Sequence, residues 1–220
     1  MITDEKLLNH PEVDYLYDLG YAIKNVGSEY YQWKLMDLSG QEKEVYCERV
    51  YAYELYHQLR KIMECPACME GKYKGLTLNG EAIKSNTFFK DVFEGLYEVN
   101  DGKEHKFIPD LILHKDLGSF ENEGQIYLAE IKMKGNKEAL NDLEKLTNLK
   151  ETKLNFDFYI FIYVSISMDD FISEVEKLGN EVIKKISDDI VCFCTEFGKF
   201  ECASFKMVKT QINNKLNEQL

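Results

Sequence analysis

Asp110, Glu130 and Lys132 carry the strongest chemical signal in the chain. The first lies in the apolar run FIPDLILH (residues 107–114), the other two in QIYLAEIKMK (residues 125–134). Both runs have the composition of β-strands, and the polar connection Lys115–Gly124 joins them as an antiparallel hairpin. Side chains alternate across a strand, so Ile108, Asp110, Ile112 and His114 share one face of the first. Ile126, Leu128, Glu130 and Lys132 share a face of its partner. Two acids and a lysine thus project from otherwise apolar strands, where an unpaired charge costs several kcal/mol. Either they neutralise one another, as a structural ion pair, or a metal ion compensates them. His114 sits four residues beyond Asp110, about 13 Å along the strand, and is assigned no catalytic role. Glu-x-Lys alone says little, since it recurs at 70–72, 104–106 and 151–153. Only the copy at 130–132 lies inside an apolar strand and follows a Pro-Asp inside another.

The elements that must position these groups follow from periodicity. Residues 12–36 read as one or two aromatic-rich helices, and a stronger helix runs from about Gln41 to Glu64, ending before Cys65-Pro66. Leu76–Lys84 reads as a strand. Asn136 is placed to cap a helix reaching about Lys150, with Leu140, Leu143 and Leu146 as its apolar stripe. Phe156–Ile166 is continuously apolar, as expected of a strand buried on both faces. A helix over Asp169–Ile186, a hairpin of Ile190–Thr195 with Phe200–Phe205, and a helical tail complete the series. Helices alternating with strands in this order predict an α/β fold on a mixed sheet.

Composition bounds the partners. The chain has 220 residues, 45% of them hydrophobic and 30% charged, which suits a soluble globular protein able to build its own core. No apolar run approaches a membrane span, and residues 1–20 lack a secretory pattern. The six cysteines therefore read as reduced thiols of a cytoplasmic protein. Net charge is −12, divided as −6 over residues 1–70, −2 over 71–135 and −4 over 136–220. The broad basic footprint of a nonspecific nucleic-acid binder is missing, although a small local patch beside bound metal can still hold phosphate.

Pro109-Asp110, followed twenty positions after the aspartate by Glu130-Ile131-Lys132, resembles the signature of the PD-(D/E)xK nuclease superfamily. The likeness covers about residues 41–166 in the order helix, three strands, helix, strand. It implies a restriction-endonuclease-like core, a mixed β-sheet flanked by helices, in a domain of residues 41–220 behind an N-terminal helical extension of residues 1–40. It also implies a metal-dependent nuclease acting on nucleic acid, with DNA expected before RNA, in a defence or mobile-element setting. Asp110 and Glu130 would hold Mg²⁺ (or Mn²⁺), with the Ile131 carbonyl completing the set, and Lys132 would orient the attacking water. The superfamily often adds an acid from the preceding helix. At about 100° per residue, Val45, Ala52, Leu55, Tyr56, Leu59, Ile62 and Met63 form one apolar sector with Glu48 near its middle, while Glu54 lies outside it. A glutamate centred on a buried face needs a partner, so Glu48 is the expected further metal ligand.

Lys84 and Arg49 are weaker candidates for phosphate contacts, and Lys145 a third. Arg49 and Arg60 are the only arginines, which suggests a carboxylate or phosphate partner of fixed geometry or an internal salt bridge. Cys65-Pro-Ala-Cys68 has metal-site or redox spacing, but a second CxxC is absent and zinc needs four ligands. Cys192, Cys194 and Cys202 read as core. Nine of fourteen tyrosines fall between residues 15 and 56, a pattern that fits helix packing better than base stacking. Two other readings stand beside the nuclease: a noncatalytic nuclease-like binding or regulatory subunit, and a body that captures substrate only as a homodimer or with a basic partner protein.

Overall fold

The computed structural model describes residues 1–80, 109–115, 125–136, 138–151, 155–196 and 198–218. Lys84 and the first part of the run 107–114 lie outside the described residues. The chain opens with α1 (Glu5–Leu8), α2 (Val13–Lys24) and α3 (Ser28–Tyr31), then the hairpin β1 (Gln32–Met36) and β2 (Glu42–Tyr46). Helices α4 (Glu48–Met63) and α5 (Pro66–Glu70) follow, then strands β3 (Leu76–Gly80), β4 (Leu111–Lys115) and β5 (Gln125–Met133). After α6 (Asn141–Lys150) come β6 (Phe158–Val164), α7 (Met168–Glu176), α8 (Asn180–Lys185), β7 (Val191–Glu196), β8 (Lys199–Ser204) and α9 (Phe205–Glu218).

Strands β3 to β8 form one six-stranded sheet in chain order. The pairs β3–β4, β4–β5 and β7–β8 are antiparallel, while β5–β6 and β6–β7 are parallel, so the sheet is mixed as expected. Each parallel step needs a crossover, supplied by α6 between β5 and β6 and by α7–α8 between β6 and β7. One face is covered by α2 and α4, through Leu16, Leu19, Ile23, Leu55 and Leu59. The other is covered by α6, α7 and α9, through Leu143, Leu146, Phe171, Val175 and Val208. Every residue of β6 is buried, as its unbroken apolar run requires.

Several expected boundaries move. Residues 32–46 form a two-stranded hairpin where helix was expected on both sides. Its turn supplies the reason: Asp37 Oδ1 accepts from the backbone N–H of Ser39 (2.8 Å) and Gln41 (3.0 Å), and Gly40 takes φ +80°. Helix α4 consequently starts at Glu48 instead of near Gln41. The helix expected to start at Asn136 begins at Asn141. Asn136 Oδ1 accepts the Glu138 N–H (3.0 Å) as a cap does. The chain then turns through i→i−3 bonds, Ala139 N–H to the Asn136 carbonyl (3.1 Å) and Asn141 N–H to the Glu138 carbonyl (3.0 Å). The single helix expected over Asp169–Ile186 breaks into α7 and α8 around Gly179, whose φ is +82°. Strand alternation also fails once. The register slips between Leu113 and His114, and Ile126 packs with the core under α2 and α4, away from Leu128.

Candidate active site

Asp110 stands one residue before the first paired position of β4, Leu111 opposite Ala129. Its N–H donates to the Ala129 carbonyl (3.1 Å), and its Oδ2 accepts from the Ile131 N–H (2.8 Å). The carboxylate therefore takes up a β5 amide just ahead of the start of β4. This contact fixes Asp110 against Glu130-Ile131-Lys132. Both Asp110 and Glu130 are buried. On β5, Glu130 and Lys132 lie beside Phe161 and Tyr163 of the parallel neighbour β6, on the face covered by α6.

Lys132 Nζ is the centre of a charge cluster. It lies 3.2 Å from Asp142 Oδ2, 3.3 Å from Glu48 Oε1 and 3.9 Å from Glu130 Oε2. Burial works to lower its pKa, but the facing Asp142, Glu130, Asp110 and Glu48 outweigh it, and the ammonium is held above the usual lysine range. Glu130 is displaced the other way. Burial pushes its pKa well above the usual carboxylate range, and the charges of Asp110 and Asp142 add to that push against Lys132 and Lys145. Glu130 Oε1 is buried without a hydrogen-bond partner, a costly state for a carboxylate oxygen.

The structure thus brings together Asp110, Glu130, Ile131, Lys132 and Glu48. Glu48 occupies a different setting from the one its spacing suggested. It is the first residue of α4, its side chain is 36% exposed, and it hydrogen-bonds with Lys132. Ala52, Leu55 and Leu59 on the same side of α4 are buried as expected, but Glu48 opens the helix and stays partly exposed at its end. Arg49 is exposed on the next position of α4. Arg60 takes the internal alternative, its Nε 2.8 Å from Glu64 Oε1 one turn on. His114 contacts Asn79 through Nε2 (2.6 Å) and the Lys115 carbonyl through Nδ1 (2.6 Å), a bracing role outside the charge cluster.

Asp142 was not read from the sequence as a site residue. Its side chain is only 1% exposed, and it contacts both Lys132 and Lys145, the latter by a close ion pair one turn along α6. The i,i+3 spacing of Asp142 and Lys145 in a first helical turn right after the Glu-x-Lys strand was the available signal. Nothing in that spacing tells which strand residue the helix will face.

Among the described residues, no group of three or more His, Cys, Asp or Glu side chains is arranged to hold a metal ion. The donor set is smaller: two adjacent buried carboxylates, one with an orphaned oxygen, and the Ile131 carbonyl between Glu130 and Lys132. Mg²⁺ is commonly held by one or two carboxylates with water filling the remaining positions, so these residues fit that ion better than a cation needing an all-protein cage. No described helix is long and apolar enough to cross a membrane. Comparison with protein-family models, curated proteins and solved structures gives no match to this chain.

Proposed function

We propose that the chain is a Mg²⁺-dependent nuclease with a restriction-endonuclease-like core. The observation that carries this reading is the meeting of buried Asp110 and Glu130, one carboxylate oxygen unpartnered, beside the Lys132 ammonium. Its sequence counterpart is the resemblance of Pro109-Asp110 and Glu130-Ile131-Lys132 to the PD-(D/E)xK signature. Asp110 and Glu130 would hold the ion, with Asp110 positioned by the Ile131 N–H and the Ile131 carbonyl offered as a third donor. An ion held there would supply a water of lowered pKa and a positive charge opposite the phosphate. Lys132 supplies a fixed positive charge at the same spot, where it orients the attacking water and stabilises the developing oxyanion. Asp142 holds Lys132 from the α6 side, and Glu48 holds it from α4.

Incubation with plasmid, single-stranded DNA and RNA in Mg²⁺ or Mn²⁺ tests the proposal. Cleavage by the wild type, with loss of at least about a hundredfold in Asp110→Ala and Lys132→Ala, is expected. Cleavage that survives both substitutions belongs to another agent and removes the assignment.

A second reading has its own support. Lys132 is already surrounded by three carboxylates, a self-compensating cluster that also suits a noncatalytic nuclease-like module. The net charge of −12 adds weight to capture of nucleic acid by a homodimer or with a basic partner. Absence of cleavage, together with absence of divalent-ion binding, selects the module.

A further inference from the structure

Two thiols stand apart from the site just described. Cys65 is exposed immediately before the short helix α5, with φ −59° and ψ 127°, outside helical conformation. Cys68, one turn on, is half-buried and packs against the core under α2 and α4. The turn between them is closed by the Cys68 N–H donating to the Cys65 carbonyl (2.8 Å), and the Tyr73 N–H donates to the Cys68 carbonyl (2.9 Å). Around the Cys65 sulfur gather the backbone N–H of Cys68, the Cys68 thiol and the Ala67 N–H. They hold Cys65 below the usual thiol range, while the same thiol contact holds Cys68 above it. Cys192, Cys194 and Cys202 are buried, and burial pushes all three up, so they are poor nucleophiles. Among the described residues no third His, Cys, Asp or Glu joins Cys65 and Cys68 in a metal-binding group.

We propose that Cys65 and Cys68 form a reversible dithiol–disulfide site that exchanges with small-molecule disulfides, Cys65 attacking and Cys68 resolving. The Cys65 thiolate attacks one sulfur of the small disulfide; a bond forms between them, and the other half leaves as a thiolate with the electron pair. Cys68 then loses its proton and attacks the Cys65 sulfur, expelling the second thiolate. Two protein thiols are oxidised to a disulfide, one small disulfide is reduced to two thiols, and the two protons pass to the leaving groups. Residues three apart on a helical turn have Cβ atoms about 5–6 Å apart, while a disulfide needs about 3.5–4.5 Å. Closure therefore needs a local adjustment, and the non-helical backbone of Cys65 is where the turn gives. Exposure divides the roles: the accessible sulfur meets the incoming disulfide, and the half-buried one meets only Cys65.

Oxidised glutathione added to the full chain, followed by acid quench, alkylation and intact-mass measurement, tests the site. The wild type should lose the mass of two hydrogens, with Cys65 and Cys68 protected together and both restored by dithiothreitol. Cys68→Ser should instead accumulate a stable glutathione adduct on Cys65. Cys65→Ser should form its adduct on Cys68 about an order of magnitude more slowly. A wild type that retains glutathione on Cys65 without closing the ring overturns the proposal. So does Cys68 reacting as fast as Cys65, or Cys65 reacting no faster than Cys47.

Discussion

Two carboxylates near opposite ends of α6 have opposite fates. Asp189 follows α8 and receives close ion pairs from Lys6 and Lys150; these hydrogen bonds pull its pKa down to about 2. Glu130 lies buried on β5, near Asp110 and Asp142 as well as Lys132, and its pKa is driven well up. The first arrangement ties α1 and the end of α6 to the loop before β7, and every charge in it finds an opposite. In the second, four carboxylates (Glu48, Asp110, Glu130 and Asp142) meet two ammonium groups, Lys132 and Lys145. A fold gains from the first kind of contact. The second leaves Glu130 Oε1 buried without a partner, which costs stability unless a further positive charge offsets it.

The largest separation between the two regions should come from the nuclease assay, where Asp110→Ala and Lys132→Ala lose at least about a hundredfold. Asp189→Asn should leave cleavage within about twofold, because Asp189 pairs with Lys6 and Lys150 and with none of the residues of the proposed site. Equal losses at both places would dissolve the contrast.

A smaller effect is expected in stability. Glu130 is an acid whose folded pKa lies above its unfolded one, near 4.3. The folded chain binds more protons there, so this group costs stability as pH rises from the unfolded value through the folded one. Glu130→Gln should therefore stabilise the metal-free protein by about 1–3 kcal/mol at pH 8 and by little at pH 4, read from denaturant melts. Destabilisation by Glu130→Gln at pH 8 would mean that its charge is already well compensated.

Asp189 should show the opposite sign on a smaller scale. Its pKa is lowered, so its contribution is present above the unfolded carboxylate range and fades as pH falls through about 2. The side chain is 45% exposed and solvent screens the pairs. Asp189→Asn is thus expected to cost only about 0.5–1 kcal/mol at pH 7, with the difference shrinking in acid. Arg60→Ala should be smaller still, about 0.3–0.5 kcal/mol, the scale of an exposed pair one helical turn apart. Thermal melts of these two variants rank them; a larger loss in Arg60→Ala would reverse the ordering.

What the sequence made legible has a common physical origin. The unbroken apolar run of β6, the Leu143 and Leu146 stripe of α6, and the shared face of Glu130 and Lys132 all follow from short-range periodicity set against one core. Asp110 and Glu130 were legible as buried acids because charge inside an apolar strand is expensive wherever the strand goes. The hairpin of β1 and β2 was hidden by its aromatics and by charged β2, which has no buried face to impose an alternation; most of its residues are exposed. That error carried into Glu48, whose position was judged on a helix extended too far toward the N-terminus. Asp142 escaped for another reason. Its meeting with Lys132 depends on how α6 crosses β5, a tertiary fact that spacing along one element does not encode.

Calorimetric titration of the wild type and Asp110→Asn with Mg²⁺ addresses the shared carboxylate spot most directly. Binding by the wild type at millimolar concentration or tighter, lost in Asp110→Asn, is the expected result. Equal binding by both proteins, or binding by neither, would contradict the claim that Asp110 and Glu130 together hold a divalent cation.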